Sequence, residues 1–298
     1  RSRSCLIAGA MLGIVILSGC GPKMSTGEIP PGTPPDWSSV VLRWNERADA
    51  IESLYARGIF EARWVEDDGA RRFEQGDLDI WYLQDDRLAT RISKFGETYA
   101  VTGMNALHHW IYLDGDESVL YVGDRDSGPV GDFRTIPVNP DFYRVVLGLG
   151  HLQVRHEPNV TWDAGAAAWR IDLGSGSPAM PSALWIEPDA AYPMRFEFGP
   201  GQSDRRLRVE YDSARTRGIA LPGRPVTSYP RFSNSLKIVL YVQNEVRNSS
   251  LIVLDQMTTD VHDEPVDRVF DLEIMRGGLS PDRVERLQPQ ANPAESTP

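Results

Sequence analysis

Residues 36–65, DWSSVVLRWNERADAIESLYARGIFEARWV, contain the change of rhythm that decides the fold. Val40, Val41, Trp44, Ala48, Ile51, Leu54 and Tyr55 recur at steps of three and four, the spacing of one face of an α-helix. Asn45, Glu46, Arg47, Asp49 and Glu52 fill the other face. Asp36 or Ser38 can cap the start, and Gly58 is a natural stop. From Ile59 onward the pattern turns to short alternating segments, beginning with Ile59 to Val65. The stretch therefore predicts an amphipathic helix from residue 38, whose apolar side needs a partner, leading into a sheet.

Downstream, short alternating segments continue: Arg71 to Leu83, Arg87 to Phe95, Glu97 to Thr102, His109 to Leu113 and Ser118 to Val122. Asp67-Asp68-Gly69, Asp85-Asp86, Gly96, Gly103 and Asp114-Gly115-Asp116 break them at turns. No room exists for crossover helices, so an antiparallel meander is predicted. Pro140 opens a short helix, Asp141 to Leu149. A second group of strands follows: Val160 to Asp163, Ala168 to Leu173, Ala183 to Glu187, Pro193 to Phe198, Arg206 to Tyr211 and a long run from Leu236 to Leu254. Residues 215–235 read as a long loop, and Asp271 to Met275 as one more edge strand. The fold class is mainly β with helices (α+β). It is a curved antiparallel half-barrel of about eleven strands, covered by an N-terminal amphipathic helix and a mid-chain helix.

The first nineteen residues have the form of a secretory signal. Arg1 and Arg3 supply positive charge, and Leu6 to Leu17 forms an apolar run, shorter than the roughly 20 residues of a membrane span. The closing Leu17-Ser18-Gly19-Cys20 resembles the lipobox of bacterial lipoproteins. That resemblance implies cleavage before Cys20, a diacylglyceryl group on its sulfur and acylation of the new amino group, so that Cys20 is the lipid attachment point. Several acyl chains anchor firmly where one binds reversibly. Gly21, where an aspartate would resemble an inner-membrane retention signal, points to the periplasmic face of the outer membrane, with the outer face of the inner membrane as the alternative. The expected organisation is signal peptide 1–19, acylated cysteine and proline-rich tether 20–37, domain 38–276 and flexible tail 277–298.

The net charge of −11 becomes −13 once Arg1 and Arg3 leave with the signal. Such acidity repels phosphate backbones, and no basic run offsets it, so nucleic acid is not an expected partner. Cys5 is the only other cysteine and is lost with the signal, which excludes an intrachain disulfide and a thiolate metal cluster.

Chemistry finds little support in the motifs. His108, His109, His151, His156 and His262 form no HExxH arrangement, and adjacent His108 and His109 on a strand point to opposite faces. The acidic pairs sit at strand ends, where Asp is an ordinary turn former. No calcium loop, phosphate loop or Gly-x-Ser-x-Gly elbow occurs. The expectation is no enzyme, no metal and no cofactor.

The order of elements resembles the LolA/LolB superfamily of periplasmic lipoprotein carriers and their outer-membrane receptors. The likeness lies in the leading helix running into Ile59-Phe60-Glu61-Ala62 and in the aromatic-glycine strands 109–115 and 120–123. Further along it lies in Ala183-Leu184-Trp185-Ile186-Glu187, Tyr192-Pro193-Met194-Arg195-Phe196 and Leu221-Pro222-Gly223. It implies an incomplete barrel, closed by helices, around an apolar cavity that receives acyl chains. Carriers of the family are unacylated, so Cys20 implies the receptor type or a relative with another role. The receptor's exposed apolar loop has only Pro129-Val130 as a weak counterpart, and no other exposed apolar tip is evident.

Trp64, Trp81, Tyr99, Trp110, Trp185 and Phe196 are the candidate cavity lining, and plain core packing is the other reading of each. The function so implied is a membrane-anchored lipoprotein, facing the periplasm, that binds or transfers lipid or lipoprotein acyl chains. Its partners would be the bilayer through Cys20, a lipid or acylated-protein ligand and other envelope proteins. The alternative is a structural or accessory interaction module of a cell-envelope assembly whose curved sheet has lost its cavity.

Overall fold

The computed structural model describes residues 32–66, 68–125, 140–154, 157–174, 180–188, 193–199, 205–261 and 266–287. Cys20, the signal, residues 20–31 of the tether, Pro129-Val130, His156 and His262 lie outside these ranges.

Helix α1 (Trp37–Asp49) leads into β1 (Ser53–Val65), β2 (Arg71–Leu83), β3 (Arg87–Lys94), β4 (Glu97–Met104), β5 (His108–Leu113) and β6 (Val119–Asp124). After α2 (Pro140–Val146) come β7 (Val160–Asp163), β8 (Ala168–Asp172), β9 (Pro181–Ile186), β10 (Pro193–Phe198) and β11 (Arg205–Tyr211). The chain continues with β12 (Thr216–Gly218), β13 (Arg231–Ser233), β14 (Ser235–Val242) and β15 (Glu245–Thr258). It ends in α3 (Val266–Val269), α4 (Leu272–Leu279) and β16 (Arg283–Arg286).

Fourteen of these strands form one open, curved sheet in the order β16-β6-β5-β4-β3-β2-β1-β15-β14-β11-β10-β9-β8-β7. Two meanders run away from a central seam, where β1 pairs with β15 from Tyr55↔Thr258 to Trp64↔Asn248. The sheet is mainly antiparallel as expected, but it is larger than the eleven strands read from the sequence. β12 and β13 make a separate small hairpin inside the expected 215–235 loop.

The leading helix ends earlier than its spacing predicts. Asp36 is its N-cap, accepting from the amides of Ser38 and Ser39. These residues' hydroxyls bond the same carboxylate and hold its pKa below the usual value. The helix stops at Asp49, because Leu54, which fits the helical spacing, also fits an alternating set with Ala56, Phe60 and Ala62. Strand pairing on both flanks of β1 decides between the two periods. Gly58 is therefore not a helix stop. It lies mid-strand at a bulge, where a Cβ would run into the backbone of Val253 and Leu254.

Two further corrections concern the C-terminal part. The expected edge strand at Asp271–Met275 is the start of helix α4, with Asp271 as N-cap accepting from Glu273 N and Ile274 N. Residues 277–287, assigned to a flexible tail, complete α4 and supply β16, which pairs with β6 in the parallel sense. Parallel pairing needs a long crossover, and the segment from 259 to 282 provides it.

Replacing Gly58 with Ala is expected to destabilise the fold by at least the about 1–3 kcal/mol typical of overpacking, because the obstacle is backbone. Urea unfolding followed by tryptophan fluorescence measures the loss, and an unchanged midpoint would show that β15 can shift away from β1.

Candidate functional site

Even-numbered residues of β1 and β2 face the concave side: Leu54, Ala56, Phe60 and Ala62, then Leu78, Ile80 and Tyr82. Ile171, Leu184, Phe196, Phe198, Leu207, Val209, Ile238 and Ile252 continue that apolar surface across the second meander. A cap of α1, α2 and residues 147–152 lies on it. Trp44 of α1 meets Phe196 edge-on, with ring centroids 5.3 Å apart, and Phe142 of α2 packs on Phe198 at 4.9 Å. Among the described residues, aromatic side chains of cap and sheet thus meet beneath the leading helix.

A small set of polar links fastens the cap. Trp44 Nε1 donates to the Gly150 carbonyl at 2.8 Å, and Asn45 exchanges bonds with the backbone of Leu152. Tyr211 Oη donates to Val146 O at 2.6 Å and Tyr82 Oη to Leu149 O at 3.2 Å, tying sheet to cap. Arg144 of α2 reaches Asp86 of the β2–β3 turn at 2.6 Å.

A cleft of about 590 Å³ opens where the last turn of α1, α2 and the end of β2 meet. Its floor is Ala48, Tyr82, Val145 and Leu149, all buried. Its rim carries Asp49, Asp86, Asp141, Arg144 and His151, with His151 Nε2 2.7 Å from Asp49 Oδ1. Burial, reinforced by Asp86 and Asp49, pushes the Tyr82 phenol up to about 12. Among the described residues no group of three or more His, Cys, Asp or Glu is placed to hold a metal ion.

The six candidate lining residues divide between the two faces. Phe196 lies on the concave face, fully buried, and Trp64 packs at the edge of the same core. The other four do not line it. Trp81 packs with Ala89, Val261 and Phe270 on the convex face. Trp110 is also convex, covering Gly103 of the neighbouring strand beneath Leu272, Met275 and Leu279 of α4. Trp185 lies on that side with Ala168, Ala183 and Met194, between the guanidiniums of Arg170 and Arg195, and donates to Asp163. Tyr99 is 42% exposed, with Lys94 above its ring. The cause is the period of two: residue number parity sets the face, and aromatic residues occupy both faces because the C-terminal segment covers part of the outer one. Trp169, Tyr82 and Phe198, of the same aromatic class, do face inward.

Two features escaped the sequence reading. The cleft is made of residues from four separate segments, which no local motif joins. Phe95, expected at a strand end, sits at the β3–β4 turn with φ +54° and 94% of its surface exposed. It is an exposed apolar tip, and it stands at the end of β3 opposite to the cleft.

No protein-family model matches the chain, and no curated protein sequence matches it significantly. Among solved structures, a DUF1329 family protein from Desulfovibrio piger aligns at 10% identity and TM-score 0.46, covering 81% of this chain and 99% of that one. A domain assigned to outer membrane lipoprotein sorting, from Vibrio parahaemolyticus, aligns at 10% identity and TM-score 0.46, covering 81% and 97%. A LolA superfamily protein from Nitrosomonas europaea aligns at 14% identity and TM-score 0.41, covering 81% and 99%. At these values the likeness concerns the broad course of the chain and no function.

The convex face near Trp81 also holds a buried carboxylate. Asp79 is 1% exposed and is bonded by Arg91 at 2.8 Å, Tyr55 Oη at 2.8 Å and Arg57 at 3.1 Å. Burial alone would raise its pKa, but these donors and charges hold it below 3.8. A depressed folded-state pKa contributes stability that is present above the unfolded value and is lost as pH falls through the folded one. Asp79→Asn is therefore expected to lower the urea midpoint at neutral pH, with the gap to the parent narrowing progressively below pH 3.8. A gap independent of pH would show that the carboxylate's charge is not what stabilises this face.

Proposed function

We propose that this chain is a non-enzymatic lipoprotein of the bacterial envelope that binds an alkyl chain against the concave face of its sheet, with Cys20 as its lipid-modified anchor. The observation that supports this reading is an open sheet whose continuous apolar face is covered by two short helices and a loop. Among the described residues Trp44, Phe142, Phe196 and Phe198 pack against one another on the concave side, so a ligand there enters by displacing the cap. Burying about ten methylenes returns about 8 kcal/mol, which is the ceiling on the opening cost that still leaves binding. Phe95 supplies the exposed apolar tip that the receptor-type resemblance calls for.

A second reading has one specific observation in its favour. Trp44, Phe142, Phe196 and Phe198 fill the concave side with edge-on and tilted ring contacts, as expected of a structural or accessory module that has lost its cavity.

Native mass spectrometry of the protein extracted from membranes separates the two. Co-purifying lipid or acylated peptide supports the first reading, and consistent absence of both supports the second. Trp44→Ala is expected to cost about 3–5 kcal/mol of stability. In the first reading it also tightens binding of a fluorescent fatty acid, because a larger share of molecules is open. Replacing Phe95 with Ser is expected to weaken association of a Cys20→Ala protein with phospholipid vesicles in a co-sedimentation assay. Equal sedimentation would remove Phe95 from the membrane-engaging role.

A further inference from the structure

We infer that Ser250, in the middle of the concave face, donates a hydrogen bond to the carbonyl of an acyl ester and so sets the chemistry of the ligand's polar linkage. The inference rests on the alkyl-chain reading above and adds the group that joins the chain to its head.

Ser250 lies on β15, a strand paired on both flanks, opposite Ala62 of β1 and Ile238 of β14. Ala62, Ile238 and the next even-numbered residue of β15, Ile252, all belong to the concave core. Alternation therefore puts the serine side chain on that face. The residue is 2% exposed, and its Oγ has no hydrogen-bond partner among the described residues. Its position explains why. The ladders on both flanks engage the nearby main-chain groups, and the side chains of Ala62, Ile238 and Ile252 carry no acceptor. The polar links that fasten the cap go to other residues. A buried hydroxyl left unpaired costs stability, a cost that alanine at this position would not carry. A donor kept unpaired within an apolar face is one that an entering ligand can satisfy.

The surroundings define the acceptor. Beside Asn248, Ser250 and Ile252, the flanking strands present Trp64, Ala62 and Phe60 on one side and Leu240, Ile238 and Leu236 on the other. None of these carries a positive charge. An ionised carboxylate or phosphate placed there would lose its hydration and gain no opposite charge. A neutral carbonyl needs only a donor, which Ser250 supplies, while the hydrocarbon attached to it meets the apolar row. An acyl ester has that form, one carbonyl on a long alkyl body. The same ester occurs in glycerolipids and in the diacylglyceryl group of an acylated protein.

Calorimetric titration of the full chain with monodecanoylglycerol, its ether analogue monodecylglycerol and decanoate, near neutral pH and below micelle-forming concentrations, tests the assignment. The ester is expected to bind about three- to tenfold more tightly than the ether, which lacks the carbonyl, and more tightly than decanoate. Ser250→Ala is expected to abolish the ester's advantage, to leave ether binding unchanged, and to keep or raise the urea midpoint of the unligated protein. Equal binding of ester and ether by the parent, or an advantage that survives Ser250→Ala, overturns the assignment and leaves the alkyl-chain reading standing. Decanoate bound most tightly does the same. A lowered midpoint in Ser250→Ala overturns the premise that the hydroxyl is unpaired. The parent's ester and ether affinities decide the matter alone if the variant does not fold. Displacement of the bound ester by a phospholipid or by a diacylglycerylcysteine peptide supports the assignment and identifies the source, and displacement by neither overturns it. No binding of any probe overturns both readings.

Discussion

An open sheet with apolar residues on both faces has to be covered twice by its own chain. Burial of apolar area is the main favourable term available to a protein with no disulfide in its described residues, and it acts on each face separately. On the concave side α1 and α2 provide the cover, through Trp44, Phe142 and Val145. On the convex side Val261, Phe270 and α4 provide it, over Trp81 and Trp110. The positions of the tryptophans, the aromatic packing beneath α1 and the placement of α4 and β16 all follow from that requirement.

The two covers differ in what holds them. α4 lies over β4–β6 through Leu272, Met275 and Leu279, and β16 continues the sheet beside β6. The concave cap contributes no strand. It is held by ring contacts and by isolated hydrogen bonds from Trp44, Asn45, Tyr82 and Tyr211. Fastenings of that kind can be broken without disrupting the sheet's backbone ladder. The cleft lies where the cap meets the end of β2.

Most of the strands were legible in the sequence because alternation and turn chemistry agree. β2, β7 and β10 occupy the expected residues, and Asp85-Asp86 and Gly96 do make turns. What was not legible depended on distant partners. Leu54 fits both a helix and a strand, and pairing with β2 and β15 decided the matter. Asp271 followed by Leu272, Met275 and Leu279 carries a cap and a helical spacing, but the alternation within residues 271–275 taken alone fits a strand as well. The face of each aromatic residue was readable from its number within its strand. Treating Trp81, Trp110 and Trp185 as concave assumed that only one face is apolar. Nothing local could reveal the cleft, whose residues come together only when α1 and α2 dock.

The central seam has a consequence for how the molecule is made. Ser53 Oγ donates to the Thr259 carbonyl across 206 residues of chain. A chain emerging N-terminus first therefore holds β1 with one flank bare until almost all the remaining strands have been synthesised or exported. Long closures of this kind slow folding, and a bare strand edge invites pairing with other chains. Biogenesis thus includes an interval of vulnerability, ended only when β15 docks, in which a chaperone has an unfilled strand position to shield and a protease an open chain to cut.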